Sequence, residues 1–230
     1  MQDCNARATP EDPNIRLHLG MSPQNENERQ SFIMNGELKP LYQKAVGCLI
    51  YLATKTRPDI MYAVQQVSQF SANPGKAHWT GIKRILRYLK KTSHYGIVFE
   101  PTRSSEVLSY YGKGITDTDI ALDISEDQRI ESTDLIGLAD SNWANEIKRK
   151  SVGGHVYFLY GGIISYECKR TIRTLLSTCE AEWYAACNAA TDGLRIRNML
   201  IELKLHDPSK PVIILEDNSA CISLICICSR

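Results

Sequence analysis

The chain has 230 residues, 43 % hydrophobic and 23 % charged, with a formal net charge of +1. These values fit one large or two small globular domains and exclude a partner recognised through global charge alone. No run approaches the roughly 18 apolar residues of a membrane span, and the polar start lacks a signal core, so the expectation is an intracellular protein, cytoplasmic or nuclear, that is not secreted and has no membrane partner. The eight cysteines are scattered without a CxxC pair, which argues against a zinc ribbon. Cys168, Cys179 and Cys187 lie in apolar patterns and read as reduced core thiols.

Residues 1–38 are polar, rich in Asn, Gln, Glu and Pro, and predict a largely irregular segment. Residues 39–100 predict a mainly helical segment. Pro40 opens a first helix with Leu41, Ala45, Leu49, Ile50 and Leu52 inward, and Pro58 opens a second with Ile60, Met61, Ala63, Val64 and Val67 inward. A third follows Pro74-Gly75, with Ile82, Ile85, Leu86 and Leu89 at helical spacing, and Gly96–Phe99 reads as a short strand. Residues 101–133 gather Glu106, Asp117, Asp119, Asp123, Glu126, Asp127 and Glu131 and read as an acidic linker or insertion. From 134 to 230 the pattern becomes α/β. Leu135–Ala139 predicts a strand ending at Asp140; Val156–Tyr160 and Ile163–Tyr166 predict a hairpin around Gly161-Gly162. Ser177-Thr-Cys-Glu180 has capping-box form and opens a helix to about Leu205. Pro211–Leu215 is a last strand, followed by Glu216-Asp217.

Asp140 and Asp217 thus sit just past strand ends, where an α/β sheet forms a crevice, and Glu182 lies near the start of the helix between them. Converging carboxylates repel unless cations sit among them, and Mg²⁺ suits oxygen donors. Two such ions about 4 Å apart can activate water and stabilise the leaving oxygen of a phosphodiester. Blander readings stand beside this one. An Asp after a strand is commonly a turn or cap residue, and acids in a first helical turn answer the helix dipole.

Four segments, Gly137-Leu-Ala-Asp-Ser-Asn-Trp-Ala144, Lys150-Ser-Val-Gly-Gly-His-Val-Tyr-Phe158, Leu176-Ser-Thr-Cys-Glu-Ala-Glu-Trp-Tyr-Ala185 and Leu215-Glu-Asp-Asn-Ser-Ala-Cys-Ile222, resemble in order the ribonuclease H region of copia-type retrotransposon Pol polyproteins. Upstream, Met1-Gln-Asp-Cys4 with Thr9-Pro10, Tyr42–Ala53, Thr56-Arg-Pro-Asp-Ile60 and His78-Trp79 through Leu86-Arg-Tyr-Leu89 resemble the segment joining reverse transcriptase to ribonuclease H. The resemblance implies a ribonuclease H-like mixed α/β sheet preceded by a mainly helical reverse transcriptase thumb or connection segment. It also implies cleavage of RNA in RNA/DNA hybrids with two Mg²⁺ (or Mn²⁺) ions held by Asp140, Glu182 and Asp217. Glu182, rather than Glu180, matches the family's helical acid, and Asn142 replaces a second Asp that is not a ligand.

The residues after Ile222 do not resemble the family, whose further Asp completes the metal set, and no Tyr-x-Asp-Asp hairpin is present. The sequence therefore predicts an incomplete ribonuclease H-like sheet, lacking its last strand and helix, and a fragment inactive as this isolated chain. The alternatives are a non-catalytic nucleic-acid-binding remnant or a recruited host protein. Implied partners are an RNA/DNA hybrid or other nucleic acid and the rest of the polyprotein. Phosphate contacts need only point charges. Lys83, Arg84, Arg87, Lys90 and Lys91 on the third helix are candidates, as are Lys148, Arg149, Lys150, Lys169 and Arg170 about the hairpin. A solvated helix face and edge-strand charges that oppose aggregation explain the same residues equally simply.

Overall fold

A computed structural model describes residues 4–25, 27–28, 38–100, 134–144 and 150–228. The acidic stretch 101–133, and Lys148 and Arg149 of the second basic cluster, lie outside the described residues. The chain divides into two compact units, Met1–Gly96 and Ile97–Arg230.

The first unit packs three helices, α1 (Leu38–Lys55), α2 (Met61–Ser68) and α3 (Lys76–Lys91). A 3-10 turn at Pro58–Ile60 leads into α2, with Pro58 where its missing N–H costs nothing. The core joins Tyr42, Val46, Leu49 and Ala53 of α1 to Ile60, Ala63, Val64 and Val67, and to Ile82, Ile85 and Tyr88 of α3. Leu49 and Ala45 face inward as expected, but Leu41, Ile50 and Leu52 are exposed. The helix is turned so that the Tyr42 hydroxyl donates to Val67 O at 2.7 Å and its ring lies 6.3 Å from Trp79. A buried phenol needs that acceptor, which a purely aliphatic stripe cannot register.

Arg57 ties the turn before α2 to the end of α3. Its guanidinium pairs with Asp59 at 2.7 Å and donates to Thr92 O at 2.9 Å and to Thr92 Oγ1 at 2.6 Å, while Tyr88 OH donates to Asp59 Oδ2 at 2.8 Å. Burial alone would push Asp59 up, but the hydrogen bonds from Arg57 and Tyr88 win and hold it below the usual carboxylate range.

Among the described residues, the polar stretch before α1 contains one 3-10 turn, Leu19–Met21, and is strapped onto the helices. Leu17 packs on the core. Asp12 pairs with Arg84 at 2.6 Å, Lys90 Nζ donates to Cys4 O at 3.2 Å, and Asn73 Nδ2 donates to Pro23 O at 3.0 Å. His78 closes the strap. Its Nδ1 accepts from Gly75 N–H at 2.9 Å, which leaves the ring proton on Nε2, 3.3 Å from His18 O. The ring stacks on Phe70 at 3.8 Å, and its burial holds the imidazole pKa below the ordinary value. Gly96–Phe99 is not a strand; no neighbouring strand pairs with it among the described residues.

The second unit is a four-stranded sheet in the order β3-β2-β1-β4, built from β1 (Ile136–Asn142), β2 (Val152–Leu159), β3 (Gly162–Arg170) and β4 (Ile213–Leu215). The first three strands are antiparallel neighbours, and β4 runs parallel to β1. The hairpin turn is one residue earlier than expected. Leu159 pairs with Gly162, and Tyr160 and Gly161, at φ 51° and 71°, form the two-residue loop. Two left-handed residues give the hairpin twist that matches the strands.

Helix α4 (Thr178–Glu202) crosses one face of the sheet, and α5 (Ser219–Cys228) follows β4. Ser177 Oγ caps α4 by accepting from Glu180 N–H at 3.1 Å, while the Glu180 carboxylate accepts from Leu176 N–H at 2.6 Å. Leu135, Tyr157, Leu159, Ile196 and Leu200 form the core, with Val212 against it. Tyr157 OH reaches Ala189 O at 2.5 Å across a gap that Gly193 leaves open; a Cβ there would lie 2.3 Å from that hydroxyl. No disulfide joins the cysteines among the described residues. Cys168 and Cys179 are half-buried, Cys187 is exposed, and the thiol inside the core is Cys221. The expectation of three core thiols is thereby corrected, because the outward face of α4 carries Cys187. Among the described residues no helix is long and apolar enough to cross a membrane.

Candidate functional site

Parallel strands end on the same side of a sheet, and β1 and β4 are parallel neighbours, paired Ile136 with Ile213 through Leu138 with Leu215. Asp140 lies near the end of β1, and Glu216 and Asp217 follow β4 directly. Asn218 turns the chain into α5, its Oδ1 accepting from Cys221 N–H at 3.0 Å. Glu182 stands near the beginning of α4, five residues past the Ser177 cap. All the predicted acids thus gather at one end of the sheet, where each influences the charge of another.

Strand alternation decides which acid faces which. Leu135 and Tyr157 belong to the core beneath α4, and a Cβ on Gly137 would strike the Tyr157 ring. The α4 side of β1 therefore carries Gly137, Ala139 and Ser141, and Asp140 turns to the other side. Val212 also packs in the α4-side core, and Ile214, paired with Gly137, takes the same side. Glu216 and Asp217 follow the end of β4 at Leu215.

The acids act on one another electrostatically. Burial, and then the charge of Asp217, raises Asp140 above the usual carboxylate range. Burial raises Glu182, Ser141 beside it opposes, and the charges of Asp140 and Asp217 add. Glu216 is pushed up to about 7 by burial, against the Asn218 N–H that donates to its Oε1 at 3.2 Å, and Glu182 is the foremost of the charges acting on it. Repulsion within a coupled pair falls on the member that burial already favours protonated. Glu182 is 7 % exposed, and Glu182 Oε2 and Glu216 Oε2 are both buried without a hydrogen-bond partner.

Among the described residues no three His, Cys, Asp or Glu side chains are arranged to hold a metal ion. The donor chemistry itself fits a hard cation: carboxylate oxygens in mutual repulsion, two of them buried and unpartnered. Glu216 is the residue that sequence reasoning passed over. Its signal was its position directly after the last strand, next to Asp217.

The basic residues divide differently. Lys83, Arg84, Arg87, Lys90 and Lys91 lie on α3 in the first unit. Arg84 and Lys90 are engaged by Asp12, Thr9 and Cys4 O of the strap. Lys150 Nζ donates to Ile172 O, and Lys169, on the edge strand β3, lies 3.6 Å from Glu167. Arg170 ends β3. His155 faces Asp192 at 3.3 Å, where Ser165 and Arg195 also donate, so it helps to fasten the sheet to α4. Trp143 Nε1 donates to Leu175 O at 3.0 Å, anchoring the loop after β1.

No family model matches the chain, and no solved structure matches it. Among curated proteins it is similar to the retrovirus-related Pol polyprotein from transposon TNT 1-94 of Nicotiana tabacum, 33 % identical over 97 % of this chain and 14 % of that one. It is 28 % identical to the retrovirus-related Pol polyprotein from transposon RE2 of Arabidopsis thaliana, over 78 % of this chain and 10 % of that one. It is also 31 % identical to the secreted RxLR effector protein 161 of Plasmopara viticola, over 66 % of this chain and 89 % of that one. The chain therefore spans about a seventh or less of each polyprotein and most of the effector.

Proposed function

The chain belongs to the Pol polyproteins of copia-type retrotransposons, and on that premise we propose that its second unit is a ribonuclease H-like domain that cleaves RNA in RNA/DNA hybrids. The observation that carries this reading is the gathering of Asp140, Glu182 and Asp217 at the shared end of β1, β4 and the start of α4, in a sheet of order β3-β2-β1-β4. Asp140, Glu182 and Asp217 are the residues that would hold Mg²⁺ or Mn²⁺. When bound, such ions lower the pKa of attacking water and stabilise the leaving oxygen. Asp140 and Asp217 offer exposed carboxylates at the sheet end. Glu182 comes from the Ser177-capped start of α4. Lys169 and Arg170 on the neighbouring edge strand supply positive charge for phosphate, and Lys83, Arg87 and Lys91 do so on α3 in the first unit. Discrimination of RNA from DNA rests on contacts to the 2′-hydroxyl.

A second reading, nucleic-acid binding without cleavage, is favoured by the facing of Asp140 and Glu182 to opposite sides of β1. One experiment separates the two. The 230-residue chain is incubated with a hybrid carrying labelled RNA and Mn²⁺. Cleavage that Asp140→Asn abolishes supports the hydrolase. Hybrid binding that persists without any cleavage supports the binding protein and overturns the first reading.

A further inference from the structure

We infer that the outer strap, residues 4–14, is an autoinhibitory cover on α3: it holds Arg84 and Lys90 where phosphate oxygens would, and an RNA/DNA hybrid engages the whole basic face of that helix only by displacing it. The inference deepens the proposed function and rests on its assignment of α3 to phosphate contact. Helix α3 carries Lys76, Lys83, Arg84, Arg87, Lys90 and Lys91 and no acid. The stretch from Lys83 to Lys91 covers about 12 Å at 1.5 Å per residue, and Arg87 lies within it between Arg84 and Lys90. The strap brings the carboxylate that the helix lacks. Asp12 Oδ2 lies 2.6 Å from Arg84 Nη1, Thr9 Oγ1 accepts from Arg84 Nη2 at 3.0 Å, and Cys4 O accepts from Lys90 Nζ at 3.2 Å.

A guanidinium offers the same fork of donors to a carboxylate and to a phosphate, so Asp12 and a nucleic-acid backbone compete for Arg84. The Arg84 side chain is 18 % exposed and that of Asp12 28 %, so little of the guanidinium stays open while the strap is down. The cover is built to detach. Its outer part reaches α3 through polar contacts, and a partly exposed ion pair holds weakly. The inner part is fixed separately: Leu17 packs on the core, His18 O accepts from His78 Nε2 at 3.3 Å, and Pro23 O accepts from Asn73 Nδ2 at 3.0 Å. A backbone that presents a charge about every 3.4 Å along each strand outcompetes one carboxylate, while the strap stays tethered at Leu17.

The test is binding of the full chain to a fluorescein-labelled RNA/DNA hybrid in EDTA, followed by fluorescence anisotropy. It compares wild type, Asp12→Asn, Arg84→Gln, those two combined, and Arg87→Gln, each checked for folding by far-UV circular dichroism. Asp12→Asn is expected to tighten binding roughly three- to fivefold, the factor an exposed ion pair contributes. In the Arg84→Gln background that gain is expected to vanish, because no guanidinium is left to release, whereas a general loss of negative charge would preserve it. Arg87→Gln is expected to weaken binding and to lower the salt slope by about 0.9. A readout that needs no substitution is tryptic cleavage after Arg7 in the wild type, which is expected to quicken with saturating hybrid. Unchanged affinity in folded Asp12→Asn, a gain that survives Arg84→Gln, or unchanged or slower cleavage after Arg7 each overturns the inference. If Arg87→Gln weakens binding while any of these holds, the phosphate-contact reading of α3 stands and only the cover falls. If Arg87→Gln leaves binding unchanged, or no form binds the hybrid, both fall.

Discussion

Arg57 ties the turn before α2 to the residue that follows α3. Its guanidinium is 8 % exposed and satisfies Asp59, Thr92 O and Thr92 Oγ1 at once. Arg57→Ala strands a half-buried carboxylate and a buried carbonyl together, and is expected to cost about 3 kcal/mol of unfolding free energy in denaturant titrations. A loss under about 1 kcal/mol would show that water replaces the network. The residues Thr56-Arg-Pro-Asp-Ile60 were legible as a motif, but their purpose was not, because Thr92 and Tyr88 lie some 30 residues away in sequence. The acids behave alike. Their identity and their end of the sheet could be read from the sequence. Which side of the sheet each faces could not, since that depends on the β1–β4 register.

At the scale of elements, all three helices of the first unit, the hairpin and the capped α4 follow from periodicity and turn chemistry. The errors are single-residue rotations or shifts: α1 turned to place the Tyr42 hydroxyl, and the hairpin loop moved to Tyr160-Gly161. Helix α5 was not foreseen: the family pattern carries only its first turn, and the residues after Ile222 depart from it. The hairpin yields a test. Tyr160 adopts φ 51°, a region that costs a residue with a Cβ roughly 1–2 kcal/mol, and its side chain is 38 % exposed. Tyr160→Asn, which creates the favoured Asn-Gly loop, is expected to stabilise the second unit by about 0.5–1 kcal/mol in thermal or urea unfolding. A destabilised variant would mean that the ring's packing outweighs its strain.

Across the whole molecule the two units are expected to respond to pH in opposite senses. His78 has a lowered folded pKa, so its contribution is complete above the unfolded value of about 6.5 and is lost as pH falls below it. In the second unit Asp140, Glu182 and Glu216 have raised folded values. The metal-free fold therefore holds those protons more tightly than the unfolded chain and loses stability as pH rises from the ordinary carboxylate range to about 7, the value for Glu216. Amide exchange in EDTA at about pH 5 and about pH 8, corrected for intrinsic rates, should find the second unit firmer at the lower pH and the first firmer at the higher. Parallel responses in both units would contradict the assignment of these groups.

The strap over α3 has a consequence for synthesis. Its anchors join residues 60, 72 and 86 positions apart: His18 to His78, Asp12 to Arg84 and Cys4 to Lys90. The strap leaves the ribosome before the helix that receives it. At about 5–20 residues per second, Leu17 waits several seconds for its seat. During that interval Leu17 has no seat on the helices of the first unit, and the strap can dock only after α3 has been made.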